Sequence, residues 1–215
     1  MRSAWLDIPL ADYEGHMAAP GVGQAEMLAT QFAEFLGAWS PESVAVIGCA
    51  GGNGFDRLHA EVTRRVVGID INPHYIQGLA ERYGDRIPGL ELYVHDIQQP
   101  VEQIPPVDFI YAALVFEYVA PQPVLQNLKS LCRPGAALVT VLQLPSDQGG
   151  TVSESPFISL KGLASAMHLV SPTSLAADAT EIGFSRLSSR RVRLSSGKEF
   201  AVQAFLLKAD GVAAP

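Results

Sequence analysis

The stretch AVIGCAGGNGF, residues 45–55, has four glycines between an apolar run and an aromatic residue. Glycine tolerates backbone angles that are costly for other residues, and it lets the chain approach a ligand closely. If a helix follows, the unpaired N–H groups of its first turn can also bind that ligand. The loop could therefore hold a cofactor, although a plain tight turn after a buried strand has a similar composition.

Two aspartates follow this loop at the ends of the next two apolar runs. Asp70 comes about twenty residues after the loop, where a carboxylate can accept hydrogen bonds from both hydroxyls of a ribose. Asp96 ends the following run, within reach of an adenine amino group. Either residue alone could be a helix cap or a solvated strand end, but the pair beside the loop indicates an adenosine ligand.

The spacing of the glycines separates the common adenosine cofactors. The dinucleotide fingerprint G-x-G-x-x-G needs a second glycine where this chain has Ala50. The phosphate-binding pattern G-x-x-x-x-G-K-[ST] is absent from the sequence. An oxidoreductase that uses NAD remains an alternative that the spacing disfavours.

The strands that must position these residues follow from the apolar runs. Continuous runs at 43–48, 108–116 and 136–144 predict strands that are buried on both faces, as in a parallel sheet covered by helices. Shorter runs at 64–70 and 90–96 predict two further strands, each ending on an aspartate.

Helical patterns lie between these runs. One begins at Asn72, a predicted N-cap, with Pro73 at the first helical position. Strand and helix therefore alternate, which predicts a Rossmann-like, doubly wound, seven-stranded, mostly parallel α/β sheet. Runs at 190–194 and 199–208 flank the turn SSGK and predict a closing antiparallel hairpin. Further helices are predicted at 24–36, 123–135 and 171–183.

The composition limits the classes of partner. A chain of 215 residues with 48% hydrophobic residues can bury one substantial core, so we expect a single domain over residues 1–215. The formal net charge of −7 argues against binding of nucleic acid through general basicity. The N-terminal residues lack the apolar stretch of a signal peptide, and no later segment is long and apolar enough to span a bilayer. We expect a cytoplasmic protein with no membrane partner, in which Cys49 and Cys132 are reduced.

Five blocks of the chain, in order, resemble the class I S-adenosylmethionine-dependent methyltransferases. The resemblance extends from about residue 44 to residue 207. The blocks are VAVIGCAGGNGF, similar to the first glycine motif; VVGIDINPHYI, similar to the second strand with its ribose-binding acid; ELYVHDI, similar to the adenine-binding third strand; VDFIYAALVFEYV, similar to the fourth strand; and LKSLCRPGAALVTV, similar to the helix, Arg-Pro-Gly turn and fifth strand.

The resemblance implies S-adenosylmethionine as the cofactor and assigns its binding residues. Gly48, Ala50 and Gly52 would face the methionine part, Asp70 would bind the ribose diol, Asp96 and the backbone of Ile97 would hold adenine, and the backbone near Ala112 would meet the ammonium end, with Cys49 and Ile71 as further cofactor-binding residues.

Three positions depart from the family pattern. Val46 replaces an acidic residue that commonly lies two positions before the first glycine, so cofactor affinity is reduced or another polar group helps. Ala50 replaces the middle glycine of G-x-G-x-G and needs only a little extra room. Tyr118 replaces a histidine often found in the fourth block, which affects the substrate more than the cofactor.

The implied reaction is in-line transfer of a methyl group from a sulfonium to a nucleophile. The main task of such an enzyme is to align and desolvate the reactants, with a base needed only where the nucleophile must lose a proton. The fourth block lacks the Asn/Asp-Pro-Pro-aromatic tetrad of enzymes that methylate base or amide nitrogen. A small-molecule acceptor is therefore expected, and a methyltransferase-like protein without catalysis is the non-enzyme alternative.

Two segments could cap the strand ends and bind the acceptor: a helical cap at 1–40 and an insertion at 145–170. No cluster with the spacing of a metal site is apparent, and Arg190, Arg191 and Arg193 are expected on an exposed strand face. The candidate substrate-binding residues are Tyr13, His16 and Tyr118, and the candidates for catalysis are His16, Glu117, Tyr118 and His168.

Overall fold

The computed structural model describes residues 3–146 and 151–208 as a seven-stranded sheet between two layers of helices. The strands are β1 (Ser43–Ile47), β2 (Arg65–Asp70), β3 (Leu90–Val94), β4 (Val107–Ala113), β5 (Cys132–Gln143), β6 (Phe184–Arg193) and β7 (Glu199–Leu207). The helices are α1 (Leu10–Ala18), α2 (Gln24–Trp39), α3 (Pro73–Tyr83), α4 (Pro121–Ser130), α5 (Leu163–Ala166) and α6 (Pro172–Glu181).

The strand order is β3-β2-β1-β4-β5-β7-β6. Strands β1 to β5 pair in parallel, and β7 pairs antiparallel with both β5 and β6. The predicted mostly parallel sheet with a closing hairpin is therefore confirmed. The order reverses between β1 and β4, and ligands of doubly wound sheets bind at such a point, beyond the carboxyl ends of the strands.

The core consists of two apolar layers, one on each face of the sheet. One layer joins β4 and β5 to α4 and α6, and the other joins β1 and β5 to α2 and α3. Every residue of β1 is buried, as expected for a central strand covered on both sides. These layers hold the strand ends rigidly where the glycine loop and the two aspartates begin.

Local signals set the helix that follows β2. The Asn72 side chain accepts a hydrogen bond of 2.9 Å from the backbone N–H of His74, and Pro73 occupies the first helical position. Both features were expected from the sequence and both stabilise the first turn of α3. The direction of the chain leaving Asp70 is therefore determined locally.

Several element boundaries differ from the prediction. Strand β4 ends at Ala113 rather than at residue 116, because Leu114 has a positive φ of 56° that turns the chain away from the sheet. Strand β5 begins at Cys132, within the segment predicted as helix, and its pairing with β4 shifts register after Val107. The Arg-Pro-Gly turn lies in this irregular start of the strand, where Gly135 has a φ of +79°.

The arginines of the closing hairpin lie on an exposed strand face, as the sequence predicted. Arg190, Arg191 and Arg193 are exposed on β6, with Glu34 and Glu199 as partners. Cys49 and Cys132 are buried thiols without a disulfide. None of the helices within the described ranges is long and apolar enough to cross a membrane.

Candidate cofactor and acceptor site

A cavity of about 750 Å³ opens beyond the carboxyl ends of β1, β2, β3 and β4. It lies at the reversal of strand order, and its size is in the range of cofactor sites. The cavity brings together most of the residues that the sequence analysis proposed. The predicted residues in its wall are Tyr13, Gly48, Ala50, Asp70, Ile71, Asp96, Ile97, Tyr118 and His168.

Five other predicted residues are not part of this wall: Cys49, Gly52, Ala112, His16 and Glu117. Cys49 is directed into the core, where its Sγ lies 3.2 Å from the position of a Cβ built on Gly68. Gly52 packs against Tyr83, whose ring would be 2.8 Å from an added Cβ. Ala112 is fully buried in β4, and its neighbour Ala113 lines the cavity instead.

The glycine loop is tied to the end of β2. The backbone N–H groups of Gly48 and Cys49 donate to Ile69 O at 2.8 and 3.2 Å. Gly48 has a φ of +64°, and Ala50 also adopts the left-handed region, with a φ of 45°. An alanine in this region costs roughly 1–2 kcal/mol, so the surrounding hydrogen bonds must hold the loop in place.

Asp70 organises the loop and faces the cavity at the same time. Its Oδ2 accepts a 2.9 Å hydrogen bond from Ala50 N, and its Oδ1 accepts one of 2.9 Å from Asn72 N. Burial raises the pKa of this carboxyl to about 6, opposed by the backbone hydrogen bonds that favour its charged form. Each carboxylate oxygen can accept a second hydrogen bond, so a ribose diol has acceptors available.

The opposite end of the cavity contains the loop after β3. Asp96 Oδ1 accepts a 3.0 Å hydrogen bond from Gln98 N, which folds the loop back on itself. His95, Asp96, Ile97 and Gln98 all contribute to the cavity wall here. The aliphatic side chain of Ile97 can pack on a flat ring, and the carboxylate of Asp96 can accept a hydrogen bond from the amino group of that ring.

The N-terminal segment is docked over this cavity. Asn72 Nδ2 donates to Trp5 O at 2.8 Å, and the Tyr13 ring stacks on Tyr75 with a centroid distance of 5.9 Å. Arg82 Nη1 donates both to Glu14 Oε1 and to Gly51 O, each at 2.7 Å. These contacts attach α1 and the preceding residues to both α3 and the glycine loop.

A second, smaller pocket of about 50 Å³ adjoins the large cavity. The two share Trp5, Tyr13, Leu114 and Tyr118 in their walls. The Trp5 ring meets Tyr13 edge-on at 5.6 Å and Tyr118 at 4.9 Å, so these three rings separate the two spaces. The remaining polar residues of the small pocket are His16, Gln24, Gln143, Thr151 and Ser153.

His16 and His168 lie in different spaces. His16 lines the small pocket, and its Nδ1 lies 2.8 Å from Ser155 Oγ. Burial, and then the nearby charge of Lys198, lowers the pKa of His16, which favours the neutral ring. His168 lines the large cavity, and its backbone N–H donates to Glu117 O at 2.8 Å.

Glu117 is buried between these spaces and is part of neither wall. Its Oε1 accepts a 2.7 Å hydrogen bond from Gln143 N on β5. Strand β4 ends at Ala113 and does not pair with this part of β5. The Oε2 of Glu117 has no partner in the described structure, and burial raises the pKa of this carboxyl to about 7. The geometry supports a structural role for the Glu117 carboxyl, which lines neither the large cavity nor the small pocket.

Trp5 and Gln143 are among the site residues that the sequence did not indicate. Trp5 and Gln143 lie outside the blocks that resemble known motifs, and both line the small pocket. An aromatic residue near the N-terminus was the only available signal for Trp5. Within the described ranges, no three His, Cys, Asp or Glu side chains are grouped so as to hold a metal ion.

Comparison with known proteins agrees with this geometry. Residues 46–138 match a protein family described as a methyltransferase domain. No curated protein sequence matches the chain.

Solved structures share the fold at low sequence identity. The N-methyltransferase NodS from Bradyrhizobium japonicum WM9, in complex with S-adenosyl-L-homocysteine, has a TM-score of 0.66 and 18% identity over 86% of this chain and 87% of its own. Magnesium protoporphyrin IX methyltransferase (ChlM) from Synechocystis PCC 6803, with bound S-adenosylmethionine, has a TM-score of 0.64 and 12% identity over 87% of this chain and 81% of its own. The [4+2]-cyclase SpnF has a TM-score of 0.68 and 12% identity over 86% and 81%.

The matched segment contains the glycine loop, Asp70 and Asp96, the residues that meet at the large cavity. It also contains the point where the strand order reverses. Residues 46–138 therefore match a methyltransferase domain, and the chain shares its fold with methyltransferases solved with S-adenosylhomocysteine or S-adenosylmethionine bound.

Proposed function

We propose that this protein transfers the methyl group of S-adenosylmethionine, held in the large cavity, to a small-molecule acceptor in the small pocket. The observation that carries this proposal is the pair of adjoining spaces, about 750 and 50 Å³, separated by the rings of Trp5, Tyr13 and Tyr118. A sulfonium in the first space and a nucleophile in the second would approach each other across this junction.

The cofactor is held by the loops at the strand ends. Asp70 accepts hydrogen bonds from the ribose hydroxyls with the lone pairs that Ala50 N and Asn72 N do not use. Asp96 and Ile97 hold adenine, and the backbone around Gly48 meets the methionine part. S-adenosylmethionine supplies an activated methyl group with a neutral thioether as its leaving group.

The chain contributes alignment and exclusion of water. The junction is formed by three aromatic rings and by Leu114, whose left-handed backbone places it in both walls. Aligned reactants in a desolvated site need little further assistance, because the sulfonium is already activated. The rings also favour a cationic centre through cation–π attraction.

His16 is the general base where the acceptor must lose a proton. When Nδ1–H donates to Ser155 Oγ, Nε2 is unprotonated and can accept the proton of the nucleophile. The lowered pKa of His16 keeps the ring neutral near physiological pH. His168 and Tyr118 contact the cofactor side of the junction in this proposal.

The segments at 1–40 and 145–170 serve as the acceptor-side part of a single domain. Supporting contacts join them directly: His16 with Ser155, and Asp12 Oδ2 with Ser159 Oγ at 2.6 Å. The cytoplasmic location and the absence of a nucleic-acid partner stay predictions from composition.

The test combines calorimetry with methyl transfer. S-adenosylhomocysteine is expected to bind to the purified protein, whereas NAD is not, because Ala50 replaces the second glycine of the dinucleotide fingerprint. Incubation with S-adenosylmethionine labelled in its methyl group, and with small molecules from a cell extract, should yield a labelled product. Binding of NAD alone would overturn the proposal, and tight cofactor binding without any labelled product would favour the non-catalytic alternative.

A matched pair of histidine variants tests the proposed base. His16→Gln is expected to lower kcat by about 10²-fold or more, with little change in affinity for S-adenosylhomocysteine. His59→Gln, at an exposed position after the glycine loop, is the control and should leave both values unchanged. An equal loss of cofactor affinity in His16→Gln would point to a structural role instead.

A further inference from the structure

Lys198 is a buried cation at the end of the sheet where the carboxyl end of β5 lies. It lies in the turn between β6 and β7, and only 4% of its surface is exposed. Because β7 is antiparallel to β5, its first residues lie beside the last residues of β5: Phe200 pairs with Gln143, and Leu144 N donates to Glu199 O at 2.9 Å. The hairpin thus brings Lys198 to the same end of the sheet as the large cavity.

The ammonium group of Lys198 contacts the backbone of a residue in the wall of the small pocket. Its Nζ donates to Thr151 O at 2.8 Å, and Gln143 Nε2 donates to the same oxygen at 2.7 Å. Thr151 and Gln143 both line the small pocket. Burial, and then the charge of Lys198, lowers the pKa of His16, another residue of this wall.

Lys198 differs from the paired cations of the chain. Arg65, Arg82 and Arg133 each form an ion pair with a carboxylate, at 2.7 to 2.9 Å. Within the part of the chain that the structure describes, Lys198 has a backbone carbonyl as its partner and no carboxylate. A buried ammonium without a counter-charge is costly, and burial lowers the pKa of Lys198 accordingly. An ammonium group has three N–H donors, and Thr151 O accepts one of them.

We propose that the acceptor is a small carboxylate-bearing molecule whose carboxylate pairs with Lys198 beside Gln143 and His16. This inference rests on the proposed function, since it assigns the small pocket to the acceptor. A space of about 50 Å³ holds only a few water-sized groups. The carboxylate end therefore occupies the pocket, and the methylated atom lies toward the aromatic junction and the cofactor.

The test compares carboxylates with neutral isosteres. Acetate, propionate and benzoate, and the amides acetamide, propionamide and benzamide, are added to the protein in saturating S-adenosylhomocysteine, which occupies the cofactor cavity. A carboxylate that binds is expected to raise the Tm by roughly 3–6 °C at ten times its Kd, whereas the matched amide gives no shift. Equal shifts for both members of a pair would overturn the proposal.

Two lysine variants locate the effect. Lys198→Met is expected to abolish the carboxylate-dependent shift. Lys208→Met removes an exposed lysine at the other end of β7 and should retain the shift in full. A shift that persists in Lys198→Met would place the anion elsewhere and contradict the proposal.

The stability of the ligand-free variants is a second, independent measurement. Replacing an unpaired buried ammonium by an apolar side chain of similar length is expected to keep or raise the Tm. A Tm that falls by several degrees, in Lys198→Met and equally in Lys198→Gln, would mean that the chain itself compensates the charge, and would overturn the proposal.

Failure of this inference is distinguishable from failure of the proposed function. Methyl transfer to a neutral acceptor, without any response to carboxylates, would overturn the carboxylate assignment and leave the methyltransferase proposal intact. A carboxylate response in a protein that does not bind S-adenosylhomocysteine would support the anion subsite and overturn the proposed function.

Discussion

The proposed cofactor side, at the large cavity, and the proposed acceptor side, at the small pocket, are assembled in different ways. On the cofactor side, the hydrogen bonds that link the glycine loop to the end of β2 join residues at most 21 positions apart, the separation of Gly48 N and Ile69 O. On the acceptor side, His16 meets Ser155 and Asp12 meets Ser159, across 139 and 147 positions. The first side can be recognised as a continuous motif, whereas the second exists only after folding.

The two sides also differ in electrostatics. The large cavity presents the carboxylates Asp70 and Asp96, which suit a cofactor with hydroxyl, amino and sulfonium groups. The small pocket has a histidine whose lowered pKa favours the neutral ring, and the ammonium of Lys198 lies behind its wall. A positive donor and a negatively charged acceptor would thus be drawn to different spaces on either side of the aromatic junction.

The largest effect is expected at Glu117, which lies between the two sides. Its pKa of about 7 exceeds the ordinary value of 4.5. Between these two pH values, Glu117 therefore keeps its proton in the folded protein and loses it in the unfolded chain. Stability from this group is present below pH 4.5 and is lost as the pH rises through about 7. Glu117→Gln stays neutral and keeps an oxygen for Gln143 N, so it should be more stable than the wild type at pH 8, by roughly 3 kcal/mol.

Chemical denaturation between pH 4 and pH 8 measures this difference. The two proteins should have similar free energies of unfolding at the acid end and diverge as the pH rises. Glu154→Gln is a control at an exposed position and should follow the wild type. Parallel curves for Glu117→Gln and the wild type would show that Glu117 is charged and compensated in the folded protein.

The next largest effect concerns the cofactor side alone. Asp70→Asn removes the charge that faces the ribose and replaces one acceptor oxygen by a donor. The affinity for S-adenosylhomocysteine, measured by calorimetry, should fall by roughly 10- to 200-fold, equivalent to about 1.5–3 kcal/mol. Asp85→Asn, at an exposed position, is the matched control. An unchanged affinity in Asp70→Asn would remove the ribose assignment.

A smaller effect is expected where the acceptor side is held together. Ser159→Ala removes the hydrogen bond to Asp12 that joins the insertion to α1. A loss of about 1 kcal/mol of stability is expected, and amide hydrogen exchange in α1 should accelerate. The affinity for S-adenosylhomocysteine should change less than twofold; a tenfold loss would show that the two sides are not separable.

The smallest effect is expected at Ala50. Its φ of 45° disfavours alanine, whereas glycine adopts this region without strain but loses more backbone entropy on folding. Ala50→Gly should therefore change the free energy of unfolding by less than about 1 kcal/mol and leave cofactor affinity within threefold of the wild type. A large loss of affinity would show that the alanine methyl group contacts the cofactor.

The sequence was most informative where local chemistry is sufficient. The end of β2 at Asp70 and the Asn72–Pro73 start of α3 were predicted correctly, because a strand end, an N-cap and a proline act over a few residues. The end of β4 was placed three residues too late, because the apolar run continues to Phe116 while Leu114 has already left the sheet. Periodicity reports which residues are apolar, and it does not report where the backbone turns.

The acceptor side was predicted only as two segments and a few candidate residues. His16 was among those candidates, but nothing in its local sequence indicates Ser155 as a partner or Lys198 as a neighbour. Glu117 was one candidate for catalysis, and in the fold its carboxyl accepts a hydrogen bond from the backbone of Gln143. A buried carboxylate and a catalytic carboxylate have the same local pattern, and packing decides between them.

The amino-acid sequence by itself determined the alternation of strands and helices, the closing hairpin and the set of loops that lines the large cavity. These features follow from hydrophobic periodicity, turn residues and caps, all of which act over short distances along the chain. Only the tertiary structure decided which residues form the small pocket, because Trp5, Gln143 and Lys198 come together through the order of the strands and the antiparallel direction of β7.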